Sequence, residues 1–110
     1  MEQIYDKLVR DKIPKIIEAN GEIPITRVLD NKEYKQELEK KLLEEYNEVL
    51  KAEDSNNRVE ELADMLEIII SLAKLENKSL DDIIKTANKK REKRGSFDKR
   101  IFLEKVENIK

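Results

Sequence analysis

Two stretches decide the fold: NKEYKQELEKKLLEEYNEVLKAE, from Asn31 to Glu53, and RVEELADMLEIIISLAKLE, from Arg58 to Glu76. In both, apolar residues recur every three or four positions, the period of an α-helix with one side turned inward. At about 100° per residue, Tyr34, Leu38, Leu42, Tyr46, Val49 and Leu50 fill one arc of about 160° on the first helix. The second helix has two apolar faces. Val59, Leu62, Ala63, Leu66, Ile69, Ile70 and Ala73 form one, and Met65, Ile68, Leu72 and Leu75 form the other, which leaves a narrow wet stripe of Glu60, Glu67, Ser71 and Lys74. A helix apolar on two sides is central in its bundle or meets another chain.

Working outward, three helix starts share one local signal, a capping residue followed three positions later by an acid: Asp30 with Glu33, Asn57 with Glu60, and Ser79 with Asp82. The third predicts a helix from Leu80 to Arg94, which Gly95 stops. Short connections favour antiparallel neighbours. Before these helices, Asp11-Lys-Ile-Pro14 and Asn20-Gly21 bracket a helix of about two turns. Residues 22–29 read as extended. The tail carries Phe97, Ile101, Phe102, Leu103 and Val106, apolar residues that call for packing on the bundle or on a partner chain. The expected architecture is therefore all-α and a single domain over residues 1–110: an antiparallel bundle of three main helices completed by oligomerisation, with a short N-terminal helix and an extended segment.

Composition narrows the chemistry. The 110 residues include no cysteine and no histidine, so thiolate and imidazole ligands and imidazole bases are excluded. Hydrolytic work falls to carboxylates, Lys, Tyr, Ser or a metal. Charged residues make up 44% and aromatics 5%, yet the signs nearly cancel at −2 and the apolar residues are periodic, which argues for a folded chain rather than disorder. No stretch is apolar and long enough for a signal peptide or a membrane span, so the expectation is a soluble, cytoplasmic protein. Charge is unevenly spread: residues 33–82 are acidic, whereas residues 85–100 carry eight Lys/Arg against Glu92 and Asp98.

Some acids stand where a structural helix would not put them. Glu45 falls inside the apolar arc of the first helix, Glu48 lies at its edge and Glu44 one step further round. Glu61 and Asp64 sit on the second apolar face of the next helix, beside Ile68. Glu45/Glu48 and Glu61/Asp64 are i, i+3 pairs, so both members of each pair lie on one side of their helix and can share an ion. Two such pairs on antiparallel neighbours converge. Oxygen donors without nitrogen or sulfur suit a hard cation, Mg²⁺ with Mn²⁺ as a substitute. In a chain with 25 acids, a solvated acidic face is the competing reading of any one pair.

The residues Lys41-Leu-Leu-Glu44-Glu45-Tyr-Asn-Glu48 and Glu60-Glu61-Leu-Ala-Asp64 resemble the E-E-x-x-E…E-x-x-D signature of the MazG-like, all-α nucleoside triphosphate pyrophosphohydrolases, with twelve residues between Glu48 and Glu61. The opening Tyr5-Asp-Lys-Leu-Val-Arg-Asp-Lys-Ile-Pro14 and the later Lys90-Arg91-Glu-Lys-Arg94-Gly-Ser-Phe97 look like the small group labelled phosphoribosyl-ATP pyrophosphohydrolase-like. The resemblance spans most of the chain. It implies a homo-oligomer, dimer or tetramer, in which Glu45, Glu48, Glu61 and Asp64 bind Mg²⁺ and Glu44 assists. It also implies that Lys90, Arg91 and Arg94, with Asn88, contact substrate phosphates.

The expected reaction is Mg²⁺-dependent cleavage of a nucleoside triphosphate to a monophosphate and pyrophosphate, with Glu44 or Glu48 as the base. The alternatives are phosphoribosyl-ATP as substrate, or a noncatalytic regulatory oligomer that binds nucleotide. Nucleic acid is a poor partner for the acidic body, and no membrane contact is expected. The basic residues of the third helix have a second reading as a solvated helix end favoured by the dipole. Arg10, Asp11 and Lys12 either reach the nucleotide or fix the N-terminal segment through ion pairs, and the structural role is preferred. Tyr46 and Phe97 have stacking on a base as one option, but Tyr46 lies in the core arc and packing is the better reading.

Overall fold

The computed structural model describes residues 2–108, and among these the chain is all-helical: α1 (Ile13–Ala19), α2 (Asn31–Lys51), α3 (Ser55–Leu75) and α4 (Leu80–Arg94), with no strand. No helix among the described residues is long and apolar enough to cross a membrane.

Local chemistry sets the boundaries. Asp30 caps α2, its carboxylate accepting from the Glu33 N–H at 2.8 Å, and Arg27 grips the Glu33 side chain with two nitrogens at 2.9 and 3.3 Å. Ser79 and Asp82 cap α4 reciprocally: the Ser79 hydroxyl accepts from the Asp82 N–H, and the Asp82 carboxylate accepts from the Ser79 N–H. The start of α3 differs from expectation. Asp54, not Asn57, is its cap, accepting from the Asn57 N–H at 2.8 Å, so α3 begins one turn earlier. Asn57 lies inside the first turn, where its side-chain amide donates to the other Asp54 oxygen at 3.1 Å.

Helices α1 and α3 are closed by residues of positive φ. At the end of α3, Asn77 has φ +58°; its N–H donates to the Lys74 carbonyl and the Lys78 N–H donates to that of Ala73. These are the paired bonds of a Schellman stop. The same pattern ends α1, where Gly21 at φ +83° donates to Glu18 and Glu22 donates to Ile17. Residues 22–29 form no helix or strand.

Only α2 and α3 pack along their length. They form an antiparallel hairpin across the turn at 52–54, and its seam holds all four buried apolar residues among those described: Leu38 and Val49 from α2, Ile68 and Ala73 from α3. Ile68 lies on the α3 face with Met65, Leu72 and Leu75, all buried or half-buried, and Ala73 on the other face. That other face stays open over its first half, with Val59, Leu62 and Leu66 exposed. Tyr46 and Leu50 also lie outside the seam, so Tyr46 is not a core residue of this chain. Helix α4 meets α3 over a short stretch and buries none of its residues, and the tail residues Phe97, Ile101, Phe102, Leu103 and Val106 are exposed rather than folded onto the hairpin.

The resulting shape is long, 72 × 35 × 22 Å, with a radius of gyration of 19.4 Å. A compact chain of this length has a radius of about 13 Å. The accessible surface of 10,876 Å² exceeds the roughly 6,300 Å² of a compact 13.0 kDa monomer by about 4,500 Å². One seam thus carries the packing of the single chain. Truncating it with Leu38→Ala or Ile68→Ala is expected to cost ~2–5 kcal/mol in urea unfolding, against ~1 kcal/mol for loss of the α4 cap in Ser79→Ala. Equal losses from all three substitutions would mean that the seam does not dominate stability.

Candidate metal centre

The turn that joins α2 to α3 also builds the site. Glu45 and Glu61 each stand eight residues from Glu53, so the antiparallel hairpin sets them opposite one another. Asp64, three residues beyond Glu61, comes round to the same side of α3. One oxygen from each of Glu45, Glu61 and Asp64 lies within 4.8 Å of the other two, and all three side chains are half-buried. The group lies within the apolar seam: Leu38 and Glu45 are seven residues apart on α2, with Val49 four residues further toward the turn, and Ile68 and Glu61 are seven apart on α3.

Three carboxylates this close cannot all ionise without strain. Glu45 is held above the ordinary glutamate range, first by its burial, then by the neighbouring carboxylates of Glu61 and Asp64; Lys41 pulls it back. The Glu45 Oε2 atom is buried and has no hydrogen-bond partner. A buried acceptor left open costs free energy, because it has given up water without replacement. An oxygen cluster with an unfilled acceptor and excess negative charge fits a hard divalent cation such as Mg²⁺, completed by waters. The arrangement can hold an ion at one side while leaving the solvent side free for an anionic ligand.

Of the four ligands expected from sequence, three come together. Glu48 is exposed and outside the set. Glu44 is half-buried, faces Lys41 at 3.8 Å, and lines a groove of about 220 Å³ between α2 and the N-terminal residues Tyr5, Asp6, Lys7 and Leu8. Asn88, Lys90, Arg91 and Arg94 are exposed on the distal part of α4, and no ion pair or hydrogen bond among the described residues joins them to the carboxylates. The cation that does touch the group is Arg10, whose Nη2 donates to Asp64 Oδ1 at 2.8 Å. No local sequence pattern announces this bond, since it spans 54 residues. A signal for the Glu45–Glu61 pairing was present in their equal distance from the turn.

Because folding raises the pKa of Glu45, the metal-free fold takes up a proton that the unfolded chain gives up. The corresponding stability is fully present below the ordinary glutamate range and is lost as pH rises through the raised Glu45 value. With metal removed by EDTA, Glu45→Gln is therefore expected to melt higher than wild type at neutral pH and to show a flatter decline on the alkaline side of that range. Superimposable melting curves for the two proteins would contradict the crowding of these carboxylates.

No protein-family model matches the chain, and no solved structure matches it either. A protein of Mycolicibacterium smegmatis described as uncharacterized is 45% identical over 51 residues, which are 46% of this chain and 51% of that protein. The chain thus matches about half the length of this relative, and the similarity brings no stated activity with it.

Proposed function

We propose that the chain is a Mg²⁺-dependent nucleoside triphosphate pyrophosphohydrolase that works as a homo-oligomer. The observation that carries this reading is the meeting of Glu45, Glu61 and Asp64 at one point of the α2–α3 seam, because these residues also match the carboxylates of the MazG-like signature. Their oxygens are the ligands for the ion. A bound Mg²⁺ would acidify a water, clamp phosphate oxygens and offset charge that develops during transfer.

The chain's own groups supply the rest. Water attacks a phosphorus of the α–β anhydride and the bridging P–O bond breaks; the products are the monophosphate and pyrophosphate. The proton lost by the water passes to a carboxylate, since the chain contains no histidine. Glu48, exposed one turn beyond Glu45, and Glu44, on the adjoining groove, are the two candidates. Lys90, Arg91 and Arg94 provide the positive charge that binds triphosphate oxygens, with Asn88 as a neutral donor. Other copies of the chain cover the open Val59–Leu62–Leu66 face and the apolar tail. The surplus of about 4,500 Å² on each chain is ample for an obligate interface.

Incubation with Mg²⁺ and a panel of ordinary and modified nucleoside triphosphates plus phosphoribosyl-ATP should release pyrophosphate from at least one member. EDTA should abolish release, and Glu45→Gln or Asp64→Asn should lower it by about 100-fold or more, beyond the usual cost of losing an outer-shell partner. Nucleotide binding without turnover across the panel would favour the noncatalytic regulator instead. For assembly, light scattering should give at least twice the 13.0 kDa chain mass. A stable folded monomer would rule out the oligomer.

A further inference from the structure

We propose that Arg10 is a resident counter-cation of the carboxylate centre, that a divalent ion displaces it from Asp64, and that this exchange frees the N-terminal segment from the hairpin. The inference rests on the metal-centre reading above and concerns how that site is regulated.

The Arg10–Asp64 bond is singular in the connectivity of the chain. Every other side-chain hydrogen bond among the described residues spans six positions or fewer, whereas this one spans 54. Residues 2–9 make no backbone hydrogen bond to any helix. Ile4 and Tyr5 are exposed, Leu8 is half-buried, and the segment lies across the open groove beside Glu37, Lys40, Lys41 and Glu44. Among the described residues, Arg10 is therefore the one directional tie between this segment and α3.

Its attachment point is one of the three converging carboxylates. The guanidinium reaches only Asp64, and the pair is largely solvated, with side-chain exposures of 58% for Arg10 and 45% for Asp64. Exposed pairs of this kind contribute little, because water screens them and a long side chain is immobilised. A divalent ion among Glu45, Glu61 and Asp64 would bring twice the charge to three carboxylates at once. A guanidinium bonded to the same Asp64 would then stand beside a like charge. The exchange is favoured on both counts, and the segment held by Arg10 loses its tie when it occurs.

The opposite outcome is well defined. Arg10 could keep the second Asp64 oxygen while the ion takes the first, acting as an outer-shell partner that orients the ligand. Such a partner strengthens metal binding. Arg10→Gln therefore gives opposite signs for the two roles.

The test titrates the full-length wild type, Arg10→Gln, Lys12→Gln and Asp64→Asn with Mn²⁺, following free Mn²⁺ by electron paramagnetic resonance. The rate of chymotryptic cleavage after Leu8, which is half-buried against the groove, is measured with and without the ion. Arg10→Gln is expected to bind Mn²⁺ about 2- to 5-fold more tightly than wild type, the range set by an exposed pair. Lys12→Gln, which removes a nearby charge that makes no ion pair, should leave affinity unchanged. Cleavage after Leu8 should quicken on Mn²⁺ addition in wild type, and should be fast and insensitive to the ion in Arg10→Gln. Equal or weaker Mn²⁺ binding by Arg10→Gln, or cleavage of wild type unmoved by the ion, overturns the displacement. If Asp64→Asn binds as well as wild type, the metal centre itself is wrong and the exchange falls with it.

Discussion

The structure depends on the antiparallel contact between α2 and α3. This seam contains the whole buried apolar core of the described chain, and its register is set by a turn only a few residues long. The same register that lays Leu38 and Val49 against α3 lays Glu45 against Glu61 and Asp64. Core and candidate site are one strip, in which Glu45 stands between Leu38 toward the open end of the hairpin and Val49 near the turn. Any change in the turn would move both together, since slippage of one residue on a helix rotates its side chains by about 100°.

The fold was legible in the sequence wherever it is locally encoded. Asp30 and Ser79 act within three residues, and the stops at Gly21 and Gly95 answer to positive φ angles at the helix ends. The start of α3 was misread because Asp54 and Asn57 are both good caps at compatible spacing, and the carboxylate nearer the turn won. The wheel on α2 included Tyr46 and Leu50 because an arc of apolar residues says nothing about where its partner stops. On α3 the wheel found two apolar faces, but a single helix holds no information on which face meets its own neighbour.

The site was legible to a similar depth. Glu45, Glu61 and Asp64 could be selected because carboxylates on apolar faces break the pattern around them. Glu48 shares the helix spacing yet lies on the exposed side of the seam, a matter of helix rotation that i, i+3 counting cannot resolve. Arg10 could not be paired with Asp64 from sequence, because its segment has no periodicity and its bond is set by the tertiary path. The basic end of α4 was named by the resemblance, but no ion pair or hydrogen bond among the described residues brings it to the carboxylates.

Placing carboxylates in the only seam works against folding. Glu45 gives up water, faces two acids and keeps one oxygen without a partner, so it disfavours the contact at its own position. A purely structural hairpin would be better served by Leu at this position, in line with Leu38 one heptad earlier. The chain instead softens the repulsion from its edges, with Lys41 on the α2 side and Arg10 on the α3 side, each an exposed or half-exposed cation of small effect. That partial neutralisation leaves a net negative pocket with an open acceptor, a state that a cation relieves more fully than either side chain. Binding to the folded chain alone would then stabilise it by mass action. The cost within the seam would then be recovered on ion binding.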